Sequence, residues 1–307
     1  MASQQHKKIA VVGAIAYDQI ATTATPLSGT TEPLLNCKLT SLNEAFGGCG
    51  GNIAYNLAAL GSQPTLITCT GQNDDERYLR HCVQQGIQTG TFLRSPQQHC
   101  ARAIIITDPD GSQFTGFFPG PVPSVARWRK HLASIDMSMI SVFVQAPYPP
   151  EVMQTSLEHA ARLKDRPLKI CCPGQYADQL NSSQIDTLAG QCDWLIGNAH
   201  EITFLRANTQ ALSDKLVIQT NGASPIQVTY PDGTTSQHKV PASTRNTDPT
   251  GCGDAFIAAI AHHVASVGEA DWHDILPQAI AVGNNSAAAC LRCSGAQQHS
   301  LSHLVTQ

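Results

Sequence analysis

The stretch DPTGCGDAFIAAI, residues 248–260, joins a glycine-rich turn to an apolar helical pattern. Gly251 and Gly253 permit backbone geometries closed to other residues and let a ligand approach the main chain closely. After them, apolar residues recur at helical spacing from Phe256 to Val264. The turn is therefore predicted to open a helix, where unpaired N–H groups and the positive end of the helix dipole favour an anion such as phosphate.

An acid beside a phosphate site needs an explanation, because like charges repel. Asp254 is suited instead to accept the proton of a hydroxyl that attacks the phosphate, while neighbouring amides stabilise charge on the transferred group. The alternative is an Asp that merely caps the helix after a glycine turn and carries no chemistry. The five specified positions of D-x-T-G-x-G-D arise by chance in roughly one chain of this length in several thousand, which favours the catalytic interpretation.

Composition argues against several classes of protein. The 307 residues are 42% hydrophobic and 14% charged, as in a soluble globular protein with one large α/β domain or two smaller ones. A net charge of −4 without a block of Lys or Arg argues against nucleic acid or an anionic membrane as partner. The N-terminal apolar run is too short to span a bilayer and is predicted to be the first strand. A small-molecule partner is the expectation.

The cysteines point to the compartment. Eleven of them lie scattered in apolar segments, without a secretion signal, which indicates buried thiols in a reducing cytoplasm rather than disulfides. Cys290 and Cys293 form a single C-x-x-C, which could be half of a zinc site but is better explained by buried thiols. We therefore expect a cytoplasmic protein.

Strand-like runs such as KIAVVGA, ISVFVQA and KLVIQTNG alternate with helix-like stretches along the chain. This alternation predicts an α/β fold with a doubly wound, mostly parallel sheet flanked by helices. No repeat or linker divides the chain, so residues 1–307 are predicted to form a single domain. Two insertions, at about 19–46 and 99–120, break the alternation and predict a small antiparallel β lid, with a hairpin turn at DPDG.

The sequence resembles the ribokinase-like, or PfkB, family of sugar and nucleoside kinases. The family's C-terminal signature matches at five positions, and its N-terminal signature matches FGGCGGNIAYNLAALG, residues 46–61. Further shared features, namely GAIAYD, FFPG, CPGQ and GAQQH, make the chain most similar to the bacterial adenosine kinase-like nucleoside kinases. The five matched positions of the C-terminal signature are Asp248, Thr250, Gly251, Gly253 and Asp254.

The resemblance implies ATP-dependent transfer of the γ-phosphate to a primary hydroxyl of a nucleoside. Asp254 would be the general base, and Gly251, Cys252 and Gly253 would form the anion hole at the helix N-terminus. It also implies Mg²⁺ and allows for a monovalent cation such as K⁺. Two alternatives stay open: a free-sugar kinase of the ribokinase or fructokinase type, and a catalytically silent nucleoside-binding protein on the same fold. A Rossmann dehydrogenase lacks its glycine fingerprint here.

The resemblance also assigns binding residues to both substrates. Several have a structural alternative: Asp18 as a solvated loop acid, Asn52 as a helix cap, and the N-x-x-E of Asn198 and Glu201 as a helix cap with a first-turn Glu. Glu201 would act on Mg²⁺ indirectly, through water. The predicted nucleoside or sugar contacts are Asp18, Gly47, Gly48, Asn52 and Phe118, and the predicted nucleotide contacts are Asn198, Glu201, Thr220, Gly222, Thr250 and Asn284.

Two residues depart from this branch of the family. Cys172 stands before PGQ, where relatives commonly have an acid, and Ile257 follows GDAF, where they often have arginine. Both positions affect the substrate preference expected from the resemblance, but neither is the proposed base. The lid also has exposed strand edges that could pair with a second copy of the chain, so a homodimer through the lid is a further expectation.

Overall fold

A computed structural model describes residues 8–27, 36–242, 248–267 and 272–301. Its first strand, β1 (Lys8–Val12), lies inside a nine-stranded sheet and is buried on both sides. Ile9 and Val11 pack into the core on one face, whereas Ala10 and Val12 pack into the core on the other. This two-sided burial explains why the strand is apolar at consecutive positions instead of alternate ones.

The chain alternates between strands and helices over most of its length. The remaining strands are β2 (Ala16–Thr23), β3 (Leu39–Gly47), β4 (Thr65–Gly71), β5 (Phe92–Ser95), β6 (Ala101–Thr107), β7 (Gln113–Phe118), β8 (Ile140–Gln145), β9 (Leu168–Cys171), β10 (Trp194–Asn198), β11 (Leu216–Asn221), β12 (Ser224–Thr229) and β13 (Thr235–His238). The helices are α1 (Cys49–Ala59), α2 (Asp75–Gln84), α3 (Val125–Ala133), α4 (Pro150–Ala161), α5 (Ser182–Gln191), α6 (Ala199–Asn208), α7 (Cys252–Val267) and α8 (Trp272–Leu291), with a 3₁₀ helix at Gly174–Gln179.

The large sheet has the order β13-β12-β11-β10-β9-β8-β1-β4-β5. All pairings from β11 to β5 are parallel, and β12 and β13 extend one side as antiparallel strands. Helices α1, α2, α7 and α8 contribute to the core on one face, and α3 to α6 contribute to the core on the other. The predicted doubly wound, mostly parallel fold is confirmed.

The position of β1 creates the place for a ligand. The chain pairs β1 with β4 on one side and, later, with β8 on the other, so the direction of winding reverses at β1. Connections on the two sides of such a reversal diverge and leave a crevice at the carboxyl ends of the strands. Both cavities described below lie at this edge of the sheet.

A four-stranded sheet with the order β3-β2-β6-β7 forms the lid. The predicted small second sheet is confirmed, with one difference in strand direction. The outer pairs β2–β3 and β6–β7 are antiparallel as expected, whereas the central pair β2–β6 is parallel. The reason is topological, because β2 follows β1 and β6 follows β5, and these two strands of the large sheet run in the same direction.

Candidate active site

Two cavities meet at Asp254. The larger has a volume of about 500 Å³ and extends over the carboxyl ends of β10 and β11. The smaller, of about 210 Å³, lies between α1, the lid and the segment after β8. Asp254, Cys49, Pro147 and Gln175 line both cavities. The carboxylate therefore faces both spaces, as a group that acts between two substrates must.

The larger cavity includes the start of α6. Asn198 caps this helix, because its side chain accepts from the Glu201 amide at 3.0 Å while Glu201 Oε2 accepts from the Asn198 amide at 3.0 Å. This capping box is the structural alternative considered for N-x-x-E, and both residues nevertheless line the cavity. Burial raises the pKa of Glu201. Thr220, at the end of β11, also lines this cavity.

The start of α7 closes the larger cavity. Gly251 has φ +81° and sits against Ala296, so that a side chain here would be strained and would collide with Ala296. The amide of Cys252 donates to the Pro249 carbonyl at 3.2 Å, which removes it from the predicted anion hole. Within the described part of the chain, the amides of Gly253 and Asp254 have no acceptor, and Gly253 lines the cavity. The open donors thus lie one residue later than the sequence motif suggested.

Asp254 is held in place from α1. Asn52 Nδ2 donates to Asp254 Oδ2 at 2.8 Å, and the half-buried thiol of Cys49 faces the same carboxylate. Burial raises the pKa of Asp254 to about 7; hydrogen bonds from Asn52 and Cys49 oppose this rise, and the charges of Asp18 and Glu201 add to it. A carboxylate with a pKa near neutrality is matched to accepting a proton at physiological pH.

Asp18 lies inside β2, at the wall of the smaller cavity, and is 5% exposed. The structural alternative, a solvated loop acid, does not describe it, because β2 begins already at Ala16 and Asp18 belongs to the lid sheet. Burial, followed by the charge of Asp248, raises the pKa of Asp18 to about 6. Gly47 directly faces it, and a Cβ on Gly47 would overlap the Asp18 carboxylate.

Of the other predicted acceptor contacts, some line the smaller cavity and one lies away from it. Gly48 and Asn52 line the smaller cavity together with Asp18. Phe117 pairs with Ala103 on the cavity side of the sheet, whereas Phe118 pairs with Arg102 on the opposite side and is 52% exposed. Because side chains alternate along a strand, Phe117, and not Phe118, is the aromatic residue on the cavity side of β7.

Three predicted nucleotide contacts lie elsewhere. Thr250 lines the smaller cavity, not the larger, and its amide donates to Asp248 Oδ1 at 2.9 Å. Asn284 is buried in α8 and donates to the Lys239 carbonyl at 3.2 Å. Gly222 has φ +56° in the turn between β11 and β12, and neither it nor Asn284 lines the two cavities. Roles for these residues in nucleotide binding remain predictions.

Some cavity residues were absent from the sequence-based set. Cys49 and Gln175 line both cavities, and Tyr176 lines the smaller one. Gln175 is the last residue of the motif CPGQ and could have been included on that ground. No sequence pattern predicts that the side chain of Tyr176 faces the cavity. The two departures from the family pattern, Cys172 and Ile257, both line the larger cavity.

The cysteines near the site are thiols. Cys252 lies beside Cys290 of α8, and a hydrogen bond from Cys290 lowers the pKa of Cys252. The Cys290 sulfur also lies 3.4 Å from the Thr250 carbonyl, so its single proton serves one of these two partners at a time. Over the described ranges, no group of three or more His, Cys, Asp or Glu side chains is arranged to hold a metal ion. None of the helices in these ranges is long and apolar enough to cross a membrane.

Comparison with known proteins identifies the family. A model of the pfkB family carbohydrate kinases matches residues 6–303. The chain belongs to this family. It is therefore a phosphotransferase that acts on an alcohol group of a nucleoside or sugar.

Individual relatives of this PfkB kinase are distant in sequence but close in fold. A nucleoside kinase of Methanothermobacter thermautotrophicus is 22% identical over 276 residues, which cover 83% of this chain and 81% of the relative. The crystal structure of a nucleoside kinase from Methanocaldococcus jannaschii superimposes with a TM-score of 0.82 at 22% identity, covering 98% of this chain and 97% of that one. The Burkholderia thailandensis nucleoside kinase in complex with ADP-inosine has a TM-score of 0.77 at 24% identity, covering 97% and 92%.

Proposed function

We propose that this PfkB protein is an ATP-dependent nucleoside kinase that phosphorylates a primary hydroxyl. The observation that carries the proposal is the position of Asp254 between two cavities, beside the open amides of Gly253 and its own residue. One cavity would hold the phosphate donor and the other the acceptor. The nucleoside kinases among its relatives, including one bound to ADP-inosine, support this assignment of the two substrates.

The chemistry follows from the site. The acceptor oxygen forms a bond to the γ-phosphorus, the bond between that phosphorus and the bridging oxygen breaks, and ADP leaves with the electron pair. Asp254 accepts the hydroxyl proton through Oδ1, because Oδ2 already accepts from Asn52. The amides at the start of α7 stabilise negative charge on the transferred group.

The donor side would be formed by the larger cavity. Asn198, Glu201 and Thr220 line it, opposite Gly253, and the open amides at the start of α7 fit a phosphate. Glu201 retains carboxylate lone pairs beyond those used in the capping box and would hold water on Mg²⁺. Mg²⁺ would neutralise charge on the phosphates. A requirement for K⁺ remains a prediction from the family resemblance, to be tested by replacing potassium with lithium in the assay.

The acceptor side favours a nucleoside over a free sugar. Its polar residues, Asp18 and Asn52, lie at the end near Asp254, where hydroxyls of a ribose would bind. The lid wall farther away is apolar and includes Ile105, Phe117 and Val122. A nucleobase would cover this wall, whereas a free pentose or hexose would leave it in contact with water. A free-sugar kinase is the second candidate, supported by the carbohydrate kinases of the family.

The deciding experiment measures ADP release from Mg-ATP with adenosine, inosine, guanosine, cytidine, ribose and fructose. We expect a nucleoside to give a kcat/KM at least tenfold above that of either sugar. A sugar as best acceptor would replace the proposal by the second candidate. ADP release by none of them, with a nucleoside still raising the melting temperature, would show a binding protein without kinase activity.

We also propose that the lid joins two copies of the chain. β3 and β7 are edge strands of the lid sheet, and the face away from the cavity exposes large apolar side chains, which are Leu42 (63% exposed), Ile104 (45%), Phe114 (59%) and Phe118 (52%). Such a patch is costly to leave in water. Sedimentation velocity should give a dimer, and Phe114→Asp should give a monomer; a monomeric unsubstituted protein would contradict this.

A further inference from the structure

The segment after α8, residues 295–301, packs behind the cavity residues of α1. Gln297 is 7% exposed, and its Nε2 donates to Asn52 Oδ1 at 2.8 Å and to the Tyr78 hydroxyl at 2.8 Å. Its Oε1 lies 2.8 Å from His81 Nε2. Asn52 in turn contacts Asp254. A continuous chain of buried and partly buried hydrogen bonds therefore leads from His81 to the proposed catalytic base.

The direction of every bond in this chain is determined. Both protons of the Gln297 amino group are used, so its Oε1 must accept, and His81 must carry its proton on Nε2. Tyr78 can accept from Gln297 because its own proton goes to the Gly47 carbonyl at 2.7 Å. The Asn52 oxygen is thus occupied by a donor, and only its amino group can point to Asp254.

This direction matters because an amide has two ends with opposite effects. An N–H group pointing at a carboxylate stabilises the charged form, whereas a carbonyl oxygen in the same place would repel it. Without Gln297, only the contact with Asp254 itself would oppose a turn of the Asn52 amide. With Gln297, turning over would place two amino groups against each other and leave two buried acceptors unpaired.

A second branch fixes the main chain of the same residue. Asn56 Nδ2 donates to the Asn52 carbonyl at 2.8 Å, and Asn56 Oδ1 lies 2.7 Å from His299 Nε2. His299 comes from the same segment as Gln297, and the Tyr55 hydroxyl donates to its carbonyl at 2.7 Å. The segment therefore orients both the side chain and the backbone of Asn52.

We propose that Gln297 and His81 are positioning residues for the phosphoryl transfer, which fix the orientation of the Asn52 amide so that its N–H group, and not its oxygen, meets Asp254. The inference rests on the proposed kinase function. Neither residue lines either cavity. Their effect on the reaction would pass entirely through Asn52.

Among the described groups that act most on Asp254, only the Cys49 thiol also lowers its pKa through a hydrogen bond, whereas Asp18 and Glu201 raise it. Cys172, after β9, also faces the same space. At the far end of the chain, burial lowers the pKa of His81; the hydrogen bond with Gln297 opposes this fall, and the charge of Arg77 adds to it. His81 is therefore neutral at pH 7 and donates through Nε2.

The test is Gln297→Glu, with Gln298→Glu as the matched control. A carboxylate at 297 has the same shape but cannot donate, so the Asn52 amide should turn its oxygen to Asp254. We expect the midpoint of the acidic limb, in the plot of kcat/KM against pH, to rise by about one pH unit. At pH values below the limb, kcat/KM should then fall about tenfold. Gln298 is the exposed neighbour, and the same substitution there should leave the limb within about 0.2 units.

Gln297→Met separates orientation from added charge, because it fills the space without donating or accepting. We expect a smaller upward movement of the limb in this variant. The Asp254 carboxyl can also be titrated by ¹³C NMR, with its signal assigned by its loss in Asp254→Asn. Its pKa should be lowest in the unsubstituted protein, higher in Gln297→Met and highest in Gln297→Glu. If both variants lower kcat equally at all pH values while the limb and the carboxyl titration stay in place, Gln297 has only a structural role and the inference is wrong.

The result also separates this inference from the proposed function. Absence of phosphoryl transfer by the unsubstituted protein would remove the proposed function itself. Transfer with an unmoved limb in Gln297→Glu, in a protein whose melting temperature is within a few degrees of the original, would remove only the positioning role.

Discussion

Asn52 and Asp254 are 202 residues apart in sequence and are joined by a 2.8 Å hydrogen bond from Asn52 Nδ2 to Asp254 Oδ2. Each belongs to one of the two glycine-rich motifs, and each follows its glycines into the first turn of a helix. The two motifs therefore form one site, with the helices α1 and α7 packed side by side. Substitution at either residue should affect the other.

The first prediction concerns Asp254 as the base. Asp254→Asn keeps the size of the side chain and an acceptor for Asn52 but removes the group that takes the proton, so turnover should fall at least ~10²-fold. Nucleotide binding should be retained, as measured by calorimetry with ADP. Asp110→Asn, in the exposed turn of the lid, is the matched control and should leave turnover unchanged. Near-normal turnover of Asp254→Asn would assign the proton transfer to another group.

The second prediction is the pH dependence of the reaction. Asp254 accepts a proton only when ionised, and its pKa is about 7, so kcat/KM should rise with pH and level off above about pH 8. Asp18 also titrates, with a pKa of about 6. Measurement of the profile for Asp18→Asn distinguishes the two groups, because the limb near 7 should persist in that variant. Its disappearance would assign the limb to Asp18.

The third prediction is a trade of stability for activity. Asp254 has a pKa of about 7 in the folded state and about 3.9 in an unfolded chain. Between these values the folded state binds more protons, so the free energy of unfolding falls as pH rises, and the loss is complete above pH 7. Asp254→Asn cannot ionise. It should raise the melting temperature at pH 8, by about 2 °C or more, and raise it less at pH 5; an equal change at both pH values would contradict the pKa.

The fourth prediction tests which face of the lid strand β7 contacts the nucleoside. Phe117 lines the smaller cavity, whereas Phe118 lies on the opposite face. Phe117→Ala should raise KM for the nucleoside by about tenfold, since an aromatic contact contributes about 0.5–1.5 kcal/mol beyond the area it buries. Phe118→Ala is the matched control and should leave KM within about twofold. The reverse pattern would place the cavity on the other face of the lid.

The sequence was sufficient for the parts of this structure that follow from local patterns. Apolar runs such as β1 predicted the large sheet and its burial on both faces. The glycines before Asp254 predicted the position at which α7 begins. The sequence was not sufficient where moving by one residue changes the face of a strand on which a side chain lies, or changes which backbone amide is free. Phe118 was chosen over Phe117 because both are aromatic and only the register of β7 separates them, and the Cys252 amide is used by the Pro249 carbonyl, a contact that no motif encodes.

Long-range contacts were also outside the reach of sequence patterns. GAQQH was noticed as a shared motif, but its glutamine and histidine meet α1 only in the folded chain, at separations of 245 and 243 residues. The helix that carries Asn284 was predicted from the sequence, but the hydrogen bond from its side chain to the Lys239 carbonyl was not. Its role in nucleotide binding stays a prediction.

The last prediction concerns the contact between Gly47 and Asp18. A methyl group on Gly47 would overlap the Asp18 carboxylate, so Gly47→Ala must displace either the side chain of Asp18 or the start of α1. We expect KM for the nucleoside to rise at least ~10-fold while KM for ATP changes about twofold or less, because only the smaller cavity is affected. Gly190→Ala is the matched control, since no atom lies within 4 Å of a methyl group placed there. If Gly47→Ala changed the two KM values equally, Asp18 would not be a contact of the acceptor alone.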